Sequence, residues 1–255
     1  MVECVTMATT PSSYRPLGPA DRDNFAQLCQ HTREGFEDAL DLVLIHNERE
    51  VRGRQPRASL NPLIVLLSVA AWERFVIDLK AIARGHFEAA GVYDETRQND
   101  RGARFATAVR VLGPMSAGRL PEAWSVRTFE AWSGKTPTNP YTLTGKETAR
   151  LEAEVESWRA LRNKVAHWCL PQDGATANWR SDAATHTIQS GQARIALSLF
   201  LQLVDQAIVA LAEAADFVDV DKLRLPASWF SAEPPPGLRG VANPGVLWDG
   251  EPLTW

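Results

Sequence analysis

Residues 195–215 read IALSLFLQLVDQAIVALAEAA, and this stretch decides the fold class. It is apolar and long enough to cross a bilayer, but Asp205 lies near its centre and Glu213 near its end. A carboxylate at mid-bilayer depth costs roughly 2.5–3.5 kcal/mol on insertion scales. We therefore predict a buried helix at the centre of a helical bundle, and no membrane span.

Helical periodicity continues outward from this stretch over most of the chain. Two of the predicted helix starts carry capping signals, because Asn61 precedes Pro62 and Thr144 stands three residues before Glu147. No run of alternating residues indicates strands. Helices are predicted at 21–50, 61–83, 101–112, 121–132, 144–169 and 187–218, with loops at 51–57, 133–145 and 171–185.

These elements predict one all-α domain, an up-and-down helical bundle. Residues 1–20 are expected to form a flexible N-terminus, and residues 21–220 the helical domain. Residues 221–255 are rich in proline and glycine and contain tryptophan, which predicts an irregular C-terminal tail.

Composition and charge exclude several protein classes. The chain has 255 residues, 45% of them hydrophobic, which is enough for a real core and excludes a disordered or collagen-like protein. Its net charge of -4 provides no global basic field for nucleic acid. Cys4, Cys29 and Cys169 are scattered, which argues against a disulfide framework or a thiolate zinc site. Because the first residues also lack a signal-peptide pattern, we expect a cytoplasmic protein.

The residues that could carry chemistry lie at 158–168, in the sequence WRALRNKVAHW. Apolar residues at helical spacing line one side of the predicted helix: Leu151, Val155, Trp158, Leu161, Val165 and Trp168. Asn163 and His167 are four residues apart and point away from that side, as does Arg159, whereas Arg162 lies at the boundary. An outward-facing histidine is available for chemistry, or it belongs to an ordinary surface patch.

Two segments resemble a known family. The sequence Arg162-Asn163-Lys164-Val165-Ala166-His167 resembles the R-x(4–6)-H signature of the HEPN superfamily of helical ribonucleases and toxins. The upstream segment WERF at 72–75 is similar to the W-E-x-F segment of the RiboL-PSP-HEPN branch. The resemblance spans roughly residues 21–218 and implies a HEPN-type bundle.

The combination of features carries this resemblance, because the bare spacing is common. With 22 arginines and 5 histidines in the chain, about one such match is expected by chance. A second match, Arg180 with His186, falls in a predicted loop and lacks an asparagine after the arginine. We interpret that second match as a coincidence.

The resemblance implies metal-independent RNA cleavage, in which the 2′-hydroxyl attacks the adjacent phosphate and leaves a 2′,3′-cyclic phosphate. It assigns His167 as the acid or base and Arg162 as the residue that stabilises the phosphate charge, with Asn163 orienting the substrate or His167. Histidine titrates near neutral pH, and arginine offers fixed, permanently charged donors. Because one histidine cannot easily serve as both acid and base, the resemblance also implies a homodimer with a composite site.

Other charged residues are candidates for supporting roles. Glu73 interrupts an apolar helix face and would position Arg162 or His167, or else form an ion pair with another arginine or lie at the surface. Local arginine-rich stretches around 49–57 and 97–127 could follow an RNA backbone, although such charge runs are usually solvated surface. The arginines predicted to contact RNA are Arg52, Arg54, Arg101 and Arg104.

The sequence predicts no metal site and no cofactor. The Gly-Lys-Thr within SGKTPT at 133–138 lacks the first glycine of a phosphate-binding loop. Three functional hypotheses remain: an endoribonuclease in a toxin or antiviral defence role, with a possible antitoxin or regulatory partner; an inactive HEPN-like module for dimerisation or for binding a partner or RNA; and an unrelated helical protein with a fortuitous motif. Retention of Arg162, Asn163 and His167 together favours the first.

Overall fold

The computed structural model describes residues 14–48, 57–83, 104–133, 136–167, 188 and 190–230. This part of the chain is mostly helical, as the sequence predicts. The helices are α1 (Arg22–Glu48), α2 (Arg57–Ala83), α3 (Phe105–Met115), α4 (Thr148–His167), α5 (Ser190–Ala214) and α6 (Val220–Leu223). The strands are β1 (Ser125–Ser133) and β2 (Thr136–Thr144), and short 3-10 turns lie at Pro19–Asp21, Gly145–Glu147 and Ala227–Phe230.

Helix α5 lies at the centre of the fold, and the prediction of a buried helix is confirmed. Every side chain from Ala193 to Ile208 is buried. Among the described residues, two segments could cross a membrane by length and composition, Leu60–Ile82 and Gly191–Ala214, but the window within the second is 94% buried by the rest of the protein. Asp205 does not face lipid or water, because it is enclosed within the fold.

Helices α1 and α2 pack along each other, with Gly35 against Ala71. The prediction that the second helix begins at Asn61 is wrong, because α2 already begins at Arg57 and contains Pro62. A proline in this first part of a helix is tolerated, since it removes one hydrogen bond near the end. Asn61 donates its side-chain N–H to the carbonyl of Ile188, at 2.8 Å, instead of capping the helix.

A β-hairpin replaces the helix predicted at 121–132 and the loop predicted at 133–145. Strands β1 and β2 pair antiparallel, with Val126 opposite Leu143 and Thr128 opposite Tyr141. Val126 and Thr128 are both buried. The run of residues around them is too short to distinguish the two-residue period of a strand from the 3.6-residue period of a helix, so the sequence alone does not decide between the two. The two prolines of β2 favour a loop in the sequence, but β2 is an edge strand, where proline is tolerated.

The other edge of β1 is closed by two side chains of α5. Gln202 accepts a hydrogen bond from the Arg127 N–H at 2.8 Å and donates to the Arg127 carbonyl at 2.9 Å. Gln206, one helical turn later, makes the same pair of bonds with the backbone of Ser125, at 2.8 and 3.0 Å. These amides take the place of a third strand, which fixes the hairpin against the central helix.

Helix α4 follows the hairpin through the turn at Gly145–Glu147, and Thr148 is its first residue. The start predicted at Thr144 is therefore close, although the hydroxyl of Thr144 makes no capping bond to the backbone. Helix α4 contacts α2 and α3, which determines which of its residues are enclosed.

The first ten residues of the predicted tail pack on the bundle. Arg224 forms an ion pair with Asp205, and Leu225 and Phe230 are buried. Helix α5 ends at Ala214, earlier than the predicted 218. The predicted loop at 171–185, most of the one at 51–57 and the tail beyond Phe230 lie outside the described residues.

Candidate active site

Helix α4 presents the predicted apolar stripe to the core. Leu151, Val155, Trp158 and Leu161 are all buried, and Val165 packs against the core at its edge. The prediction of this face is confirmed as far as Val165; Trp168 lies outside the described residues.

Arg159 does not lie on the outward side with Asn163, as the helical projection predicts. Its side chain is only 10% exposed and reaches Glu73 on α2, where Nε donates to Oε1 at 2.9 Å. The projection fails because α2 and α3 both pack on α4 and together enclose more of its circumference than the apolar stripe alone.

Glu73 is the centre of the site. Its Oε1 accepts hydrogen bonds from both Arg159 Nε and Arg162 Nη2, so that one carboxylate oxygen holds two guanidinium groups. The side chain of Glu73 is 13% exposed, which rules out the surface position considered from the sequence. The ion pair with another arginine is found, and its partner is Arg159; Glu73 also pairs with Arg162, the contact on which the predicted positioning role depends.

A second carboxylate, Glu156, completes this network and was not predicted from the sequence. Its Oε2 accepts from Arg159 Nη1 at 2.6 Å, and its Oε1 accepts from the backbone N–H of Phe105 at 2.8 Å. The only sequence signal is that Glu156 stands three residues before Arg159, a spacing at which opposite charges on a helix meet. Its bond to Phe105 needs the tertiary structure.

Arg162 is the more accessible of the two arginines, with 22% of its side chain exposed. Its Nε is buried and has no hydrogen-bond partner among the described residues. A buried N–H of a cation is costly to leave unsatisfied, whereas the exposed part of the side chain can meet an anionic ligand. Glu73 fixes the direction of the guanidinium, so the remaining donors are held in place before any ligand binds.

Asn163 and His167 follow Arg162 on the same helix. Asn163 is exposed, as predicted. The backbone of α4 is helical through His167, which places positions 163 and 167 one turn apart on one face. The side chain of His167 lies outside the described residues.

Of the four arginines predicted to contact RNA, Arg104 is within the described residues and is exposed. It immediately precedes Phe105, whose N–H is bonded to Glu156, so its backbone lies next to the network. Arg52, Arg54 and Arg101 lie outside the described residues. The second spacing match, Arg180 with His186, is also outside them.

Other kinds of chemistry find little support in the described part of the chain. No group of three or more histidine, cysteine, aspartate or glutamate residues there could hold a metal ion. Burial raises the pKa of the Cys29 thiol to about 12, so Cys29 is not a ready thiolate nucleophile. Burial also lowers the pKa of Arg194 to about 10, and this cation lies on α5 rather than in the network.

The geometry supports a specific chemical capability. Arg162, whose guanidinium is held by a carboxylate on the neighbouring helix, precedes the exposed Asn163 by one residue and a histidine position by five. Such an arrangement stabilises negative charge that develops on a phosphate or carboxylate group. Comparison of the chain with protein-family models, with curated proteins and with solved structures finds no match.

Proposed function

We propose that the protein is a metal-independent endoribonuclease of HEPN type. The observation that carries the proposal is the ion pair of Arg162 with Glu73, which fixes a guanidinium on α4 one residue before the exposed Asn163 and five residues before position 167. A pre-oriented cation costs little reorganisation when charge develops on a phosphate. The resemblance of residues 162–167 and 72–75 to HEPN sequences points to RNA as the substrate.

In the proposed reaction the RNA supplies its own nucleophile. The 2′-oxygen forms a bond to phosphorus, the bond from phosphorus to the 5′-oxygen breaks, and a 2′,3′-cyclic phosphate remains. A base takes the proton of the 2′-hydroxyl, and an acid protonates the leaving 5′-oxygen. Arg162 stabilises the charge on the phosphate oxygens, while Asn163 orients the substrate or His167.

The need for both an acid and a base leads to the proposal of a homodimer. His167 would take one role, and His167 of the partner subunit the other. A composite site of this kind places RNA across two copies, with Arg52, Arg54, Arg101 and Arg104 as candidate backbone contacts. We propose a cytoplasmic toxin or antiviral defence role, in which an antitoxin or regulatory protein would restrain the activity.

The alternative is a HEPN-like module without catalysis, which dimerises or binds a partner or RNA. One feature favours it: α2 exposes two large apolar side chains, Leu63 at 43% and Ile77 at 44%, which lie on the same face about four helical turns apart. Exposed apolar residues on one face are typical of interaction surfaces. A dimeric enzyme would use the same surface, so activity distinguishes the two proposals.

The test is cleavage of a labelled RNA in EDTA, with wild type beside His167→Ala. We expect wild type to cleave and to leave cyclic phosphate ends, and His167→Ala to be slower by about 10²–10⁴-fold, the usual contribution of an acid–base group. His31→Ala is the matched control, because His31 is exposed on α1, away from the network, and should cleave as wild type does. Absence of cleavage by folded, dimeric wild type would favour the binding module.

A further inference from the structure

The N-terminus of α3 is joined to Arg162 by a continuous chain of hydrogen bonds. The Phe105 N–H donates to Oε1 of Glu156, and Oε2 of the same carboxylate accepts from Arg159. Arg159 donates onward to Glu73, which also holds Arg162. Three helices thus contribute to the position of one guanidinium.

The first bond gives Glu156 a structural role that is easily recognised. Arg104 precedes α3 but makes no side-chain capping bond. Glu156 supplies the missing acceptor from another helix, and its negative charge also interacts favourably with the positive end of the α3 dipole. If this were its whole role, any side chain with an acceptor of similar length would replace it.

The second bond gives Glu156 a role that only a carboxylate can perform. Arg159 and Arg162 share one oxygen of Glu73, and their like charges repel each other. Glu156 holds the Nη1 end of Arg159 at 2.6 Å and so balances that repulsion on the side away from Arg162. With Glu156 neutral, Arg159 would compete for Glu73 with its whole guanidinium group.

We propose that Glu156 is a positioning residue for the active site, which acts through Arg159 and Glu73 to set the orientation of Arg162. This inference rests on the proposed function. Because the chain of bonds begins at Phe105, it also connects Arg162 to the backbone next to Arg104, one of the candidate RNA contacts.

The experiment compares Glu156→Gln with Glu156→Ala. Glutamine retains an acceptor for the Phe105 N–H but turns a neutral amide towards Arg159, whereas alanine removes both functions. We expect Glu156→Gln to lower kcat for RNA cleavage tenfold or more, with KM within twofold of wild type and a nearly unchanged melting temperature. Glu152→Gln, one turn earlier on α4, removes the same charge outside the network and should leave kcat unchanged.

A wild-type kcat in Glu156→Gln, with a loss only in Glu156→Ala, would overturn the proposal and leave Glu156 as a cap. A second measurement does not depend on catalysis: the Nε–H signal of Arg162 in protein labelled with ¹⁵N-arginine, assigned with Arg162→Lys. We expect Glu156→Gln to shift that signal and Glu152→Gln to leave it in place. If wild type cleaves no RNA, the proposed function fails, and an unshifted signal then shows separately that the coupling fails as well.

Discussion

Two arginine–carboxylate clusters in this protein are built in opposite ways. In the first, Asp205 of α5 is fully buried and receives Arg224 Nη2 at 2.6 Å and the Leu225 N–H at 3.1 Å. In the second, Glu73 is shared by two arginines, and Arg162 retains a buried Nε without a partner among the described residues. Both oxygens of Asp205 accept hydrogen bonds from Arg224, so this carboxylate is saturated, whereas the second cluster shares one carboxylate oxygen between two arginines.

The two clusters use their carboxylates differently. A saturated carboxylate fixes one segment on another; here it holds residues 224–225 on the central helix. Arg33 assists by donating to the Arg224 carbonyl at 2.7 Å, and its Nε, like that of Arg162, is buried without a partner among the described residues. The hydrogen bond to Asp205 raises the pKa of Arg224, so this guanidinium stays charged. Arg162, by contrast, shares its carboxylate with a second arginine and has 22% of its side chain exposed.

The largest loss of stability is expected at the ion pair of Asp205 with Arg224. Arg224→Ala leaves the carboxylate of Asp205 buried without its cation, which should lower the free energy of unfolding by about 3–5 kcal/mol. Asp205→Asn should cost only about 1–2 kcal/mol, because asparagine still accepts from the Leu225 N–H and Arg224, with 32% of its side chain exposed, reaches water.

Urea unfolding measures both variants, and their combination sharpens the comparison. The double variant Arg224→Ala with Asp205→Asn should be more stable than Arg224→Ala alone, because no unpaired charge remains in the core. A loss of less than about 1 kcal/mol in Arg224→Ala would mean that the pair does not fix this segment.

A smaller loss of stability and a larger loss of activity are expected in the cluster of Glu73 with Arg159 and Arg162. Glu73→Gln should lower the free energy of unfolding by about 1–3 kcal/mol, since Arg159 keeps Glu156 and Arg162 is partly exposed. RNA cleavage should fall about 10- to 100-fold, because Arg162 loses its orientation.

The matched control for Glu73→Gln is on the same helix. Asp78→Asn removes a carboxylate that pairs with the exposed Arg74, and it should change stability by less than about 1 kcal/mol and leave cleavage unchanged. Equal cleavage by Glu73→Gln and wild type would contradict the role of Glu73 in positioning Arg162.

The same contrast explains what the sequence could and could not predict about the fold. Helix α5 can be predicted from the sequence, because a long apolar run with few charges indicates a buried helix. The β-hairpin cannot be predicted in this way. The groups that bond the free backbone edge of β1 are the side-chain amides of Gln202 and Gln206, which are far away in the sequence. Local propensity cannot reveal such a substitute strand.

The candidate site can be predicted only in part, again because some of its contacts join residues that are distant in sequence. The spacing of Arg162, Asn163 and His167 is local, and a helix turns local spacing into a shared face. The prediction that Arg159 points outward is wrong, and the sequence does not identify Glu156 as part of the network. Both depend on which helices pack against α4. The pairing of Glu73 could be expected, because a carboxylate in an apolar helix needs a partner, and Arg159 and Arg162 are the partners found.

The most direct test makes the same substitution in both clusters, Arg162→Lys and Arg224→Lys, and measures RNA cleavage in EDTA together with the melting temperature. Lysine keeps the charge but loses the guanidinium fork. We expect Arg162→Lys to cleave about 10- to 100-fold more slowly with little change in melting temperature. Arg224→Lys should melt at a lower temperature yet cleave at the wild-type rate while folded. Wild-type cleavage by Arg162→Lys, or no cleavage by wild type itself, would contradict the account.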